Sequence, residues 1–383
     1  MKYSLVKLKS GNLEREVWAN LRHFRDASYC EELIRSRHNL KEHEHAGNVR
    51  KQAVQIGQCL RQAEEYFEAA TAVGPATKPN LLYYGIVSLA LATVLLNRIG
   101  SYSLDKLRAI IPHRHGLELT NFSNLDPKTS PIGILDTIAC TPSDGMFRVW
   151  FEALTPDPTV GNATTMLPGG LSQSSLIALA ARSKSPTAYT NLGGKKLTAA
   201  AMLRQIPDLV PFLNEGKIHC DYCRVAFTSI TNEARRSYRF TLTGHHVSSR
   251  EFAQRLLQRI FICGESPDKI AIRHDGNSFV VSIDTSFPLP PDFGFTMPDA
   301  RRAIDGQTFL LSDDALEYES AAHFVLMFCL SMLVRYYPDQ WVRLLDSGHR
   351  SANFLLYFVD LTMLKFPLLT LNELTQSFHY LDG

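Results

Sequence analysis

Pro79-Asn-Leu-Leu-Tyr-Tyr-Gly-Ile-Val-Ser-Leu-Ala-Leu-Ala-Thr-Val-Leu-Leu-Asn97 is apolar almost all the way round a helical wheel. A helix with no polar face has no side to turn to water, so it reads as the centre of a helical core. Pro79 suits its first turn, where the missing N–H has no intrahelical partner to lose. A second stretch of the same character lies near the other end of the chain: Phe324-Val-Leu-Met-Phe-Cys-Leu-Ser-Met-Leu-Val-Arg-Tyr-Tyr-Pro-Asp-Gln-Trp341. The apolar run 81–96 has 16 residues and the run 321–334 has 14, short of the roughly 20 that cross a bilayer. Both are expected as buried core helices, with no membrane involved.

Outward from the first stretch, residues 14–37 are charge-rich, with Val17, Leu21 and Phe24 at helical spacing. Residues 49–73 read as a long amphipathic helix, with Val54, Leu60, Ala63, Phe67 and Ala70 near one face. A short helix over 103–111 is stopped by Pro112. From 117 to 315 Gly and Pro become frequent and short β-type runs appear: Phe147-Arg-Val-Trp-Phe151, Cys223-Arg-Val-Ala-Phe227, Tyr238-Arg-Phe-Thr-Leu242 and Ser278-Phe-Val-Val-Ser-Ile283. The last forms an expected hairpin with Lys269-Ile-Ala-Ile-Arg273 across the turn His274-Asp-Gly-Asn277. Helical pieces are expected at 171–182 and 249–261, and a proline loop at 286–294. Helix returns at 317–336, breaks at Pro338, and resumes at 341–345, 351–365 and 371–378. The fold class is therefore α+β: a helical unit from 1–116 and 316–383 packed together, with a mixed, mostly antiparallel α/β insert over 117–315.

The whole chain has 383 residues, 45% hydrophobic and 20% charged, with a net charge of +2. Such a balance excludes a strongly basic nucleic-acid protein but leaves room for a local patch. Met1-Lys-Tyr-Ser-Leu-Val-Lys7 has no apolar core of the secretory kind. Its seven scattered cysteines fit free thiols in a reducing cytoplasm.

Few chemical motifs stand out. Gly193-Gly-Lys-Lys196 lacks the spacing of a phosphate-binding loop and reads as a basic turn. His219-Cys-Asp-Tyr-Cys223 is a lone Cys-x-x-Cys. A structural zinc needs four closed ligands, so no metal is expected there, and no cofactor elsewhere. An Arg followed four to six residues later by His can place a guanidinium and an imidazole one turn apart. Such a pair can hold a phosphodiester while the imidazole moves a proton at a ribose 2′-oxygen, without a metal. Arg37/His43, Arg108/His113 and Arg343/His349 have this spacing. Arg108 with His113 and His115 ranks first because it follows the most apolar helix, although Pro112 interrupts the helical face. Arg235, Arg236 and Arg239, interleaved with Tyr238, form a candidate nucleic-acid surface.

The strings Tyr66-Phe-Glu-Ala-Ala70, Pro79-Asn-Leu-Leu-Tyr-Tyr-Gly85, His115-Gly-Leu117, Ser331-Met-Leu-Val-Arg-Tyr-Tyr-Pro-Asp-Gln-Trp341 and Phe366-Pro-Leu-Leu-Thr-Leu-Asn-Glu-Leu374 resemble the YaaC-like protein family. They lie at both ends, so the resemblance implies a fold that spans most of the chain. A second, more distant similarity is to HEPN-type helical domains, whose central hairpin looks like the Tyr-Tyr-Gly helix, the following short helix and its His. That similarity implies nuclease or nucleic-acid-binding roles in toxin and anti-phage systems, with the catalytic Arg and His falling on Arg108 and His113. The expected function is a non-catalytic interaction or nucleic-acid-binding component of a prokaryotic complex, in phage defence, with a protein partner or a second copy and RNA or DNA. The alternative is a metal-independent ribonuclease.

Overall fold

The structure is a computed structural model. It describes residues 4–8, 11–100, 102–111, 114–120, 125–155, 160–166, 172–178, 189–216, 218, 222–231, 235–243, 261–263, 269–275, 278–286, 294–296, 300–311, 316 and 318–380.

Leu13–Arg22 (α1), Ala27–His38 (α2), Ala46–Thr71 (α3), Lys78–Asn97 (α4) and Leu104–Ile110 (α5) form the N-terminal helices. The charge-rich segment 14–37, helical as its spacing implied, is divided between α1 and α2. Asp26 is extended, and its carboxylate accepts from the N–H groups of Ser28 and Tyr29, so it starts a new helix instead of continuing the old one. The pair α3 and α4 carries the core; Leu60, Ala63, Phe67 and Ala70 are buried in it as expected, but Val54 is exposed on the opposite side of α3. Gly85 lets the two helices close: a Cβ there would fall 2.7 Å from the Phe67 ring. The end of α4 is capped from within. The buried Gln52 donates from Nε2 to both Leu95 O and Arg98 O, each at 2.7 Å, so carbonyls that run out of helical partners stay satisfied.

Pro131–Thr137 (α6), Met146–Ala153 (α7), Ala199–Leu203 (α8) and Val210–Glu215 (α9) follow, around a three-stranded sheet of His115–Leu119, Ala139–Gly145 and Leu197–Thr198. The boundary expected after residue 116 thus falls inside a strand. The expected strand at 147–151 is α7. Its Phe147, Trp150 and Phe151 all turn into the core and meet Phe324, Tyr189 and Tyr318. Arg148 on the outer side pairs with Asp144 at 2.6 Å and Glu152 at 3.0 Å. A short aromatic run favours a strand by propensity, but this helical division of apolar and charged sides overrides it.

Glu319–Tyr336 (α10), Pro338–Asp346 (α11) and Arg350–Thr375 (α12) close the core. The chain turns by 106° between α10 and α11, at the Tyr337–Pro338 step where proline cannot continue the helix. The two helices expected at 351–365 and 371–378 are the single α12, with Pro367 inside it. Phe366, Leu371 and Leu374 are buried on either side of the proline, and their packing offsets the lost backbone bond. After α12, Ser377–Tyr380 pairs in parallel with Ser4–Lys7, which brings the two ends of the described chain together.

Eight further strands form one sheet in which Val160–Met166 pairs with Tyr222–Thr231 in parallel and, among the described residues, the other pairings are antiparallel. The expected hairpin is present, with Lys269–Asp275 against Ser278–Ser286. The helix expected at 171–182 is instead the strand Ser172–Ala178, bonded along its length to Val160–Met166. Its Ser-Gln-Ser-Ser opening suits a paired polar strand better than an isolated helix. The helix expected at 249–261 lies outside the described residues except for Phe261, which begins a strand. The proline loop lies outside them but for its two ends.

By length and composition α4 and α12 are both long and apolar enough to cross a membrane. The 16-residue run underestimated α4, which gains a turn and reaches 20 residues. Inside the fold, 72% of the apolar window of α4 and 61% of that of α12 are buried against the rest of the protein.

Candidate functional site

Four of the strings quoted above converge at one edge of the helical core. Tyr83 and Tyr84 sit side by side on α4 and point to different surroundings. Tyr83 is fully buried between Phe324 and Phe328, and its hydroxyl is 2.9 Å from Nδ1 of His115. Burial pushes its phenol well above the ordinary range, so it stays protonated. Tyr84 lies half outside, stacked on Tyr66 of α3 with centroids 5.7 Å apart, and its hydroxyl accepts from Arg335 Nη1 at 2.9 Å. Nearby, Asn80 Oδ1 accepts from the Ser331 hydroxyl at 3.0 Å, which clamps α4 to α10.

Arg335 ends α10 and is exposed. Its guanidinium carbon lies 5.9 Å from the Tyr84 ring centroid and 5.1 Å from that of Tyr336, within cation–π range of both. Tyr336 is 61% exposed. The half-buried His115 lies behind this cation. Burial first, and then the positive charge of Arg335, hold its imidazole below the usual histidine range, so it is neutral at pH 7.

Glycines place His115. Gly116 has φ +80°, a conformation that L side chains resist. A Cβ on it would fall 2.8 Å from Phe147 N, and one on the facing Gly145 would fall 2.5 Å from Gly116 N. The strand register shifts at this point, between His115 and Leu117. The bulge turns the imidazole toward Tyr83.

Arg108 lies on the exposed side of α5, close enough to Cys59 of α3 to oppose the burial that pushes that thiol up to about 12. Cys59 and Tyr66 are two helical turns, about 10 Å, apart along α3, and Arg108 makes no hydrogen bond or ring contact with Tyr84, His115 or Arg335 among the described residues. Helix α5 ends at Ile110, and His113 lies outside the described residues. The other two Arg/His spacings serve the fold. Arg37 donates to Asn97 and to Leu374 O. His349 caps α12 by accepting from Ser351 N and reaches Thr129 O at 3.1 Å.

Strand alternation divides the second expected set. Arg235, Arg236 and Arg239 all lie on the strand Arg235–Thr243, with Arg235 and Arg239 on one face and Arg236 on the other. Arg239 is exposed, opposite Thr228 and Ser282. Cys220 lies outside the described residues, and among the described residues no group of three or more His, Cys, Asp or Glu is placed to hold a metal.

One cluster escaped the sequence reading. Lys365 of α12 is 3% exposed, with Nζ 2.8 Å from Asp208, 3.3 Å from Glu319 and 2.7 Å from Arg302 O. His323 donates or accepts at Thr362 Oγ1 at 2.8 Å, and its Nε2 lies 3.8 Å from Glu319. Burial alone would push the Glu319 carboxyl up, but Lys365, His323 and Arg301 together hold it below the ordinary range. Burial alone would lower Lys365, and Glu319 and Asp208 together raise it. The cluster is sealed from solvent, and within it Glu319 Oε1 and His323 Nε2 are buried without a hydrogen-bond partner among the described residues. No periodicity could reveal it, because Asp208 and Lys365 are 157 residues apart.

The YaaC-like protein family model matches residues 22–374. The chain belongs to the YaaC-like protein family. The match takes in every helix from α2 to α12 and the whole Tyr83–His115–Arg335 edge. No curated protein and no solved structure matches the chain.

Proposed function

We propose that this YaaC-like chain is a nucleic-acid-binding component of a prokaryotic complex, and that it holds single-stranded RNA at the Tyr66–Tyr84–Arg335–Tyr336 edge. The observation that carries the reading is Arg335, exposed and lying over two tyrosine rings, with a third ring stacked beyond. Nucleobases stack on such rings at about 1–3 kcal/mol per base, and the guanidinium supplies the charge that a phosphate needs. A soluble cytoplasmic chain working with a protein partner or a second copy, in phage defence, fits the HEPN-like reading of the Tyr-Tyr-Gly hairpin and belongs to the same proposal. The test is fluorescence anisotropy with a labelled single-stranded RNA. Tyr84→Ala and Arg335→Ala are each expected to weaken binding by about tenfold or more; unchanged affinity in both would refute the site.

A second reading has its own support in His115. A neutral imidazole beside a guanidinium can accept a proton from a ribose 2′-hydroxyl while the cation steadies the phosphate. In this reading the chain is a metal-independent ribonuclease, and Arg335 joins Arg108, His113 and His115 as candidate residues. RNA integrity after incubation with wild type, His113→Ala and His115→Ala separates the two: intact RNA throughout excludes the nuclease, and cleavage lost in a variant excludes a purely binding role.

A further inference from the structure

The four adjacent strands Tyr222–Thr231, Arg235–Thr243, Ser278–Ser286 and Lys269–Asp275 have two unlike faces. Their registers place Val225, Phe227, Phe240, Leu242, Val281 and Ile272 on one side. Val225 and Leu242 are buried there, as an inward face requires. The other side turns outward. Arg224, Ala226, Arg239, Thr243 and Arg273 are exposed on it, and Thr241, Val280 and Ser282 are half-buried between them. Small side chains thus separate well-spaced arginines on an open surface.

Charge on this face is lopsided. Among the described side chains of this face the charged ones are Arg224, Arg239 and Arg273, all basic and all exposed. The whole chain carries only +2, so an excess of this size on one surface means that the rest of the protein is close to neutral. Arg239 and Arg273 stand two strand spacings and one pleat repeat apart, about 12 Å. Hydroxyls flank both: Ser282 pairs with Arg239 across the ladder, and Val280, opposite Arg273, pairs on its far side with Thr241.

We propose that this outward sheet face binds the backbone of single-stranded RNA, as a surface separate from the Arg335 edge. Arginines on a sheet track phosphates, and hydroxyls beside them can pair with the 2′-OH, which both donates and accepts. Aromatic stacking is absent from the exposed positions named, so contact here is with the backbone and is independent of base sequence. Only the class of ligand rests on the function proposed above.

The test measures RNA affinity by anisotropy between 50 and 300 mM salt, conditions chosen because each phosphate contact on a single strand adds about 0.7 to the log–log slope. The proteins are the full-length wild type, Arg239→Ser/Arg273→Ser, Arg335→Ala, and Arg50→Ser as an exposed control elsewhere. The sheet variant is expected to fold with an unchanged melting midpoint, to lose about tenfold in affinity, and to lower the slope by about 1.4. It should do so equally for sequences of different composition. An unchanged slope and affinity in the sheet variant, with Arg335→Ala weakened, overturns the sheet face and leaves the Arg335 edge standing. A weakened sheet variant with Arg335→Ala unchanged does the reverse. Equal affinity for DNA of the same sequence, tighter binding to an acidic peptide, or no RNA binding by the wild type each overturns the RNA assignment.

Discussion

The two ends of helix α10 use charge in opposite ways. At its start, Glu319 and His323 are sealed with Lys365 and Asp208, and each cation there has an anion in reach. At its end, Arg335 has a phenol hydroxyl and two rings but no carboxylate partner among the described residues, and it is exposed to water. In a buried ion-pair network, removing one member leaves another charge stranded. An exposed cation among aromatics costs little to keep and remains available to an anionic ligand. The comparison therefore separates a site of structure from a candidate site of binding along a single 18-residue helix.

The largest effect is expected at the closed end. Lys365→Met leaves Glu319 and Asp208 facing each other without their cation, and should destabilise the protein by about 3–5 kcal/mol, read as a lower urea midpoint. Measured RNA affinity of the folded fraction should not change. If Lys365→Met is neutral, the cluster does not hold the fold and the contrast with Arg335 loses its basis.

Acid should act through the same residues. The folded-state pKa of Glu319 lies below its ordinary value, so its contribution is present above the ordinary carboxylate range and is lost as pH falls through the folded value. Lys365 is raised, so its contribution holds below the ordinary lysine range and is lost as pH rises through its own folded value. Stability should form a plateau between these limits. Removing the Lys365 charge moves the acid limb to higher pH, which urea midpoints at several pH values would show.

Legibility in the sequence follows the same division. The all-round apolar character of α4 and α10 announced a helical core, and the alternation in Ser278–Ser286 announced its hairpin. Proline misled at α12, where buried Phe366 and Leu371 hold a helix that the local rule would end. Aromatic β-propensity misled at α7, because only the tertiary neighbours of Phe147, Trp150 and Phe151 show which way they turn. The site was half legible. Tyr84, His115 and Arg335 all stood in the strings that carried the family resemblance, but their meeting depends on a glycine bulge at 116 and on two helices more than 200 residues apart. The Arg-to-His spacing drew attention to Arg108 because spacing is local; the structure sets Arg335 beside His115 instead.

Smaller effects should sharpen the open end. Gly85→Ala places a Cβ 2.7 Å from the Phe67 ring and should cost about 1–3 kcal/mol by overpacking, visible in thermal melts, while sparing the Arg335 contacts. Arg335→Gln removes the second cause of the lowered His115 pKa, so NMR titration should find that imidazole titrating at higher pH than in the wild type, with burial still holding it below the free value. A His115 pKa that does not move would mean that the two side chains do not sense each other. The smallest change is expected at Arg343→Gln: its 3.7 Å pair with Asp339 is exposed, and such pairs contribute under about 1 kcal/mol.

The most direct measurement is a paired one on Arg335→Ala: affinity for single-stranded RNA and the urea midpoint of the same preparation. The account predicts about a tenfold loss of affinity with the midpoint unmoved. Full affinity in a variant that is also destabilised would contradict it, because Arg335 would then belong with Lys365 as part of the frame.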